Sequence, residues 1–450
     1  MVLTYGVTQI LCIDTLHFQS PHNLEQWMAQ PSGKINVWQG ASLLLSTLLG
    51  SGLLIIPALA ASAAGNYSLL AWALIIAAMM PIVVTFSALG KRFPHQAGTA
   101  YYVQQAFGQR AAKAIGVLYV SIAPIGPPVV FITGAGYACQ LFDINLSASS
   151  YIEITLLVLV FIANCLRFTT SAFIQCSISV VLISVVVAIC LWSLPNAPAI
   201  TDNRAPSLSM IGAAMVIMFW CFVGIEAICH VANHFAQPSR DFPRAVVLGV
   251  AIAAAIYMLL SYCVLRYQVY GSAQQNLLSV TLLAQHSIGP LGQKLVALMG
   301  LLGCLCAVNL YVISFTNMLA SFGENTSQTW LNTRLANGSA IYALILVVLS
   351  IAMTLLARAY FQWSFDDFLQ FANAQFVLIY CAAAAAGSML LKGRSRMAAL
   401  FSLLFCTAML YFVGASGWYC LLFLGLVWGG LFLCHKKERA RSFKADSRFS

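Results

Sequence analysis

The chain has 450 residues, of which 61% are hydrophobic and only 8% charged, with a formal net charge of +10. Soluble domains carry about 25% charged residues, so this composition excludes a soluble globular protein and indicates an all-α polytopic membrane protein. The basic excess falls in short gaps between apolar runs, the pattern of the positive-inside rule, which excludes nucleic acid as the partner and leaves the lipid bilayer.

Residues 1–33 are mixed in character, carrying Asp14, His17, Pro21, His22, Glu25 and Pro31, and contain no run long enough to cross a bilayer. They read as a cytoplasmic extension without the apolar core of a cleavable signal. Met28, just before the apolar pattern begins, is an alternative translation start. From Val37 onward twelve apolar segments follow, each near the roughly 20 residues needed to span a hydrocarbon core. They cover 38–63, 68–90, 114–141, 151–166, 171–194, 209–232, 246–270, 294–321, 339–357, 367–391, 397–414 and 417–434. The expected organisation is a transporter core over 34–391, halved at about 34–208 and 209–391. Segments 11 and 12 follow over 392–434, then a basic tail over 435–450.

The gaps assign orientation. Of the 22 basic residues, Arg204, Arg266, Lys294 and Arg358 alone fall on one side, which also holds Asp143, Glu153, Asp202, Asp366 and Asp367. All the others fall opposite, so both termini are expected in the cytoplasm. Two cytoplasmic gaps exceed a turn. Residues 91–113 contain an amphipathic stretch that either lies along the surface or lines the inner mouth, and residues 233–246 form a proline-punctuated loop.

Two segments carry the signals of broken helices. Segment 1 places Gly50, Ser51 and Gly52 at mid-depth and Pro57 one turn later, which reads either as a break or as a close packing site. Segment 6 contains Phe222-Val223-Gly224-Ile225-Glu226, with a carboxylate inside an otherwise lipid-soluble run. A charge at mid-bilayer costs at least about 2.5 kcal/mol, so Glu226 is either functional or a neutral acid bonding helices together. The two segments run in opposite directions, and interrupted segments at matching positions of inverted halves point to a transporter's binding site. Half-helix amides suit a carboxylate and unwound carbonyls suit an amine, so the pair is built for a zwitterion.

At these residues the chain resembles the amino acid-polyamine-organocation superfamily of transporters. Gly50-Ser51-Gly52 resembles its first-segment glycine motif, Phe222 to Glu226 its sixth-segment Phe-x-Gly-x-Glu, and Arg240-Asp241-Phe242-Pro243-Arg244-Ala245 its loop signature. Within it, the stretches around Gly50 and Gly224 are similar to those of bacterial exporters of L-methionine and branched-chain amino acids. The resemblance covers about residues 35–435. It implies a five-plus-five inverted repeat with helices 1 and 6 broken and two helices appended. It also implies alternating access and proton-driven export of neutral amino acids such as methionine, leucine, isoleucine and valine across the inner membrane. By motif position, Thr47, Gly50, Ser51 and Gly52 would receive the substrate carboxylate, and Phe222, Val223 and Gly224 would offer carbonyls and a side-chain lid to its amine. Glu226 would be either the proton-linked group or a latch to the cytoplasmic helix ends.

The remaining signals weigh against other classes. Segment 3, with Ser121, Pro124, Gly126, Pro127, Pro128, Gly134 and Gly136, is expected to bend for packing. Segment 8 carries Asn309, Tyr311, Ser314, Thr316 and Asn317 but no adjacent Ser/Thr pair, which favours proton over sodium coupling. Asn373 and Gln375 of segment 10 read either as lining the path or as interhelical glue, with glue the safer reading. His230 and His234, spaced i, i+4, lack the further ligands of a metal site, and the 14 cysteines lack CxxC spacing and read as buried small hydrophobes. No metal, cofactor or catalytic motif is expected. A channel would show a repeated pore motif, and a sensor an added soluble domain. An importer or an amino acid/polyamine exchanger is the nearer alternative, and the oligomeric state is not legible.

Overall fold

A computed structural model of the protein describes residues 35–93, 98–165, 172–196, 198, 207–228, 235–322, 329–335 and 339–446. The expectations for 1–33, Met28, Arg167, Asp202, Arg204, His230 and His234 fall outside these residues, as do the side chains of Ser51 and of the tail.

Among the described residues the regular elements are helices, joined by two isolated bridges, Ile35 with Phe235 and Arg334 with Ala340. Seven runs are long and apolar enough to cross a membrane, and three shorter apolar stretches accompany them, Val180–Ser193, Leu208–Phe222 and Ala415–Gly430. Every one of the twelve segments is represented. The first is split into α1 (Val37–Leu48) and α2 (Ser51–Ala64), and the second is α3 (Ser68–Arg92). The amphipathic stretch forms α4 (Gly98–Phe107). Segment 3 follows as α5 (Gln109–Val120) and α6 (Gly126–Phe142), segment 4 as α7 (Ser149–Cys165) and segment 5 as α8 (Ala172–Ser193). Segment 6 comprises α9 (Leu208–Phe219), a 3-10 turn over Trp220–Phe222 and the short α10 (Ile225–Ile228). Segment 7 is α11 (Pro238–Tyr267). Two short helices, α12 (Ala273–Leu277) and α13 (Ser279–Ile288), precede segment 8, α14 (Pro290–Ser321). Segments 9 to 12 are α15 (Ile341–Phe361), α16 (Phe365–Leu390), α17 (Gly393–Val413) and α18 (Ala415–Asp446).

Four departures from the sequence reading have local causes. Pro238 opens α11 rather than punctuating a loop, because a proline at the first helical position lacks only an amide that would be orphaned anyway, and Pro243 lies inside the same helix further on. Asp241 supports that start by accepting from the Gln237 amide at 3.2 Å. Segment 3 is interrupted between Val120 and Gly126 instead of merely bent: the Ile122 and Ala123 amides tighten onto Tyr119 and Val120 at 3.1 and 3.0 Å, and Pro124, Pro127 and Pro128 have no amide to continue the ladder. The basic tail continues α18 as far as Asp446. Finally, α12 and α13 occupy a stretch with no apolar run of its own.

The packing shows how the two broken segments lie. A Cβ on Gly40, early in α1, would sit 2.4 Å from the Phe235 ring beyond α10, while α9 packs along α2. The start of segment 1 thus lies beside the end of segment 6, and the end of one beside the start of the other, so the two run antiparallel. Around them, α6 packs along α14, and α16 packs against α17 and α4. Glu153 of α7 is removed from candidacy for transport by Arg358 of α15, whose Nη1 donates to both carboxylate oxygens at 2.9 and 3.1 Å. Asp366 and Asp367 lie in the first turn of α16, where Ser364 and Asp367 form a capping box and the negative charge complements the helix dipole.

Candidate functional site

The break in segment 1 falls at Leu49 and Gly50. Gly50 turns the chain with φ −53° and ψ −113°, and α2 restarts at Ser51 without a side-chain cap, so its first amides have no intrahelical acceptor. The other side of the break is closed by Tyr257 of α11, whose hydroxyl donates to the Leu48 carbonyl at 2.8 Å and whose ring stacks on Trp72 with centroids 4.9 Å apart.

The break in segment 6 begins at Trp220, four residues before its glycine. The Trp220 amide bonds back to Ile217 and Met218 rather than to Val216, which frees the Val216 carbonyl. Asn373 of α16 supplies the missing donor at 2.7 Å, the glue role read from its sequence position. Val223 is extended with φ −67° and ψ 129°, and Gly224 has φ +117°, a conformation that side chains resist. A Cβ on Gly224 would also lie 3.2 Å from Thr47 Cβ, so the two breaks lie side by side.

Glu226 is buried immediately after this break. Its Oε2 accepts from the Gly224 amide at 2.9 Å and is hydrogen bonded to the Tyr380 hydroxyl of α16. The same hydroxyl reaches the Phe222 carbonyl at 3.0 Å. Tyr380 therefore connects the one acid of this region to the unwound backbone, with a single hydroxyl proton for two acceptors.

The residues expected at the site are brought together, with some of their groups already engaged. Thr47 donates its hydroxyl to Leu44 at 2.7 Å, which leaves it only acceptor capacity toward a ligand in this conformation. Gly52 faces segment 6: a Cβ there would lie 3.0 Å from Tyr257 Oη, 3.3 Å from Cys221 Sγ and 3.5 Å from Trp220 Cδ1. Phe222 and Val223 are buried, and the Phe222 carbonyl is held by Tyr380. Ser314 of segment 8 pairs with the Tyr119 hydroxyl at 3.2 Å, while the buried Thr316 hydroxyl has no partner among the described residues.

Three residues of this centre are not singled out by sequence reasoning. Trp220 spans from the first break to the third, its Cδ1 near Gly52 and its Cη2 3.9 Å from where a Cβ on Gly126 would be, with Phe376 edge-on at 6.2 Å. Tyr257 and Tyr380 satisfy carbonyls released by the two breaks. The third break is tied in by Gln375, which donates to Ser121 Oγ at 3.0 Å. Because Ser121 spends its own proton on Leu118 at 2.7 Å, Gln375 must present its NH2 group there, leaving its buried oxygen without a partner among the described residues. One rigid helix, α16, thus braces both the third and the sixth segments where they unwind.

Comparison with known proteins fits this architecture. The pattern of the family described as "Amino acid permease" matches residues 35–439. An L-methionine/branched-chain amino acid exporter of Escherichia coli (strain K12) is 32% identical over 401 residues, covering 88% of this chain and 95% of that protein. An uncharacterized amino acid permease of Bacillus subtilis (strain 168) is 26% identical over 367 residues, 79% of this chain and 85% of that protein. A putrescine transporter of Haemophilus influenzae is 26% identical over 240 residues, about half of each chain. With the match running nearly end to end through both breaks, the chain belongs to the amino acid permease family of multi-pass membrane transporters.

Proposed function

We propose that the protein exports small neutral amino acids, methionine, leucine, isoleucine and valine among them, in exchange for protons by alternating access. The observation that carries this reading is the Glu226–Tyr380–Phe222 connection, and the substrates follow those named for the E. coli relative. The basic end of the bundle is cytoplasmic, both termini lie there, and the membrane is the bacterial inner membrane. The two oppositely directed halves of the core act as inverted repeats around the paired breaks.

The substrate carboxylate meets the uncapped amides of α2 at Ser51 and Gly52, with Gly50 in the turn before them and Thr47 at the end of α1. Its ammonium meets the carbonyls of the unwound stretch from Phe222 to Gly224, and Trp220 and Phe222 line the apolar wall. Glu226 adjusts this second contact. When it is ionised, Tyr380 gives its proton to the carboxylate and the Phe222 carbonyl is open to an ammonium. When it is protonated, the carboxyl donates to Tyr380, whose own proton turns to Phe222 and competes with the substrate amine. Proton uptake from outside then expels the amino acid, and proton release inside readies the site, which is antiport. Cationic amines such as polyamines are disfavoured, because the buried acids among the described residues are Glu153, neutralised by Arg358, and Glu226.

Glu226→Gln tests the coupling. Its amide donates to Tyr380 as a protonated acid would, so methionine efflux from proteoliposomes driven by a pH gradient should vanish. Undiminished gradient-driven efflux from the variant would remove Glu226 from the proton path.

A further inference from the structure

At the end of the bundle away from the basic residues, a cavity of about 400 Å3 opens between the end of α6 and the helix pair α12–α13. Its size falls in the range of about 300–1,000 Å3 typical of small-molecule sites. Cys139, Gln140, Asp143 and Asn145 line it from α6 and the turn that follows, Gln274 and Leu278 from the helix pair. The side-chain amides of Gln140 and Gln274 make no hydrogen bond among the described residues. Asp143, held at φ +56° where it ends α6, pairs with Lys294 in the first turn of α14, and that ammonium also donates to the Leu141 carbonyl at 2.9 Å.

We propose that this cavity is a second binding site for an amino acid zwitterion, on the exit side and separate from the paired breaks. The naming of that side as the exit, and of the ligand class, rests on the exporter reading. The amide NH2 groups of the lining, with Lys294 at its edge through its pair with Asp143, suit the ligand carboxylate. Asp143 and the amide oxygens suit its ammonium, and Leu278 faces its side chain. The Asp143–Lys294 pair is exposed, with side chains 76% and 38% accessible, and such pairs are weakly held, so a zwitterion can exchange into it one charge for each.

The cavity is joined to the transport path. Asn276, between Gln274 and Leu278, accepts from Ser62 of α2 at 2.8 Å, and Ser279 donates to the Leu54 carbonyl at 3.3 Å. Leu277 packs where a Cβ on Gly136 of α6 would come within 2.6 Å. The helix pair therefore covers the far half of the broken first segment. An occupant bridging Gln274 and Leu278 to the end of α6 fastens that cover, so external amino acid slows its own export.

Equilibrium binding of radiolabelled methionine to the full chain in nanodiscs tests the site. The native protein should bind two equivalents. Gln140→Leu combined with Gln274→Leu should bind one, with loss of the slowing of efflux by external methionine that exceeds competition at the central site. Lys294→Gln, at an exposed position, should give the same result and guards against a misfolded double variant. One equivalent in the native protein, or two retained in both variants, would overturn the site while leaving the exporter reading intact. No binding to the native protein would overturn both.

Discussion

Replacing Tyr380 by phenylalanine removes one oxygen from a buried junction that three groups share. The Phe222 carbonyl loses its side-chain donor, and Glu226 keeps backbone amides alone, that of Gly224 at 2.9 Å and its own. A hydrogen bond to a charged group contributes about 1.5–3 kcal/mol. At about tenfold per 1.4 kcal/mol, the two protonation states of Glu226 lose a factor of roughly 10 to 100 in how differently they hold the sixth-segment break. The consequence is specific to coupling. In proteoliposomes, methionine efflux driven by a pH gradient should fall by about that factor, whereas methionine–methionine exchange at equal pH should fall far less, because the amides of α2 and the ammonium-binding carbonyls remain. Equal loss of both activities would show that Tyr380 serves folding alone, and retention of both would refute the connection between Glu226 and the break.

Other substitutions address separate parts of the account. Gly52→Val drives a branched side chain into Tyr257, Cys221 and Trp220, the first of them 3.0 Å from even a Cβ, so methionine binding measured by equilibrium dialysis should be lost while the protein still inserts. Asn373→Leu leaves the Val216 carbonyl buried without its donor and should cost about 1–3 kcal/mol in denaturant unfolding, with methionine affinity in the surviving folded protein changed less than threefold. Gly224→Ala forces a side chain into φ +117° and against Thr47. About 1–2 kcal/mol of backbone strain should appear as a lower unfolding midpoint, together with reduced efflux.

The breaks in segments 1 and 6 were legible because glycine and proline are conspicuous inside apolar runs, and each has a local backbone consequence. The groups that complete the breaks were not. Tyr257 and Tyr380 are single polar tips in apolar helices, and their acceptors lie 209 and 158 residues away in sequence, so nothing local marks which carbonyl each will meet. Asn373 was legible as glue, but its acceptor exists only because a 3-10 turn at Trp220 releases Val216. Segment 3 carried its warning in Pro124, Pro127 and Pro128, whose missing amides turn a bend into an interruption. The pair α12–α13 had weaker signals, a capping box from Ser272 to Gln275 and the Gly289-Pro290 boundary before α14, with no apolar periodicity to draw attention to them. Prolines misled in one place: Pro238 and Pro243 read as loop markers, yet Pro238 stands at the helix start, where its lost amide costs little, and the helix runs on through Pro243.

Export itself is the claim on which the rest depends. Cells lacking their own methionine efflux, loaded with labelled methionine and leucine and expressing this chain, should release both amino acids faster than cells without it, and collapsing the pH gradient should abolish the difference. Release unaffected by expression, or accelerated uptake in its place, would contradict the account.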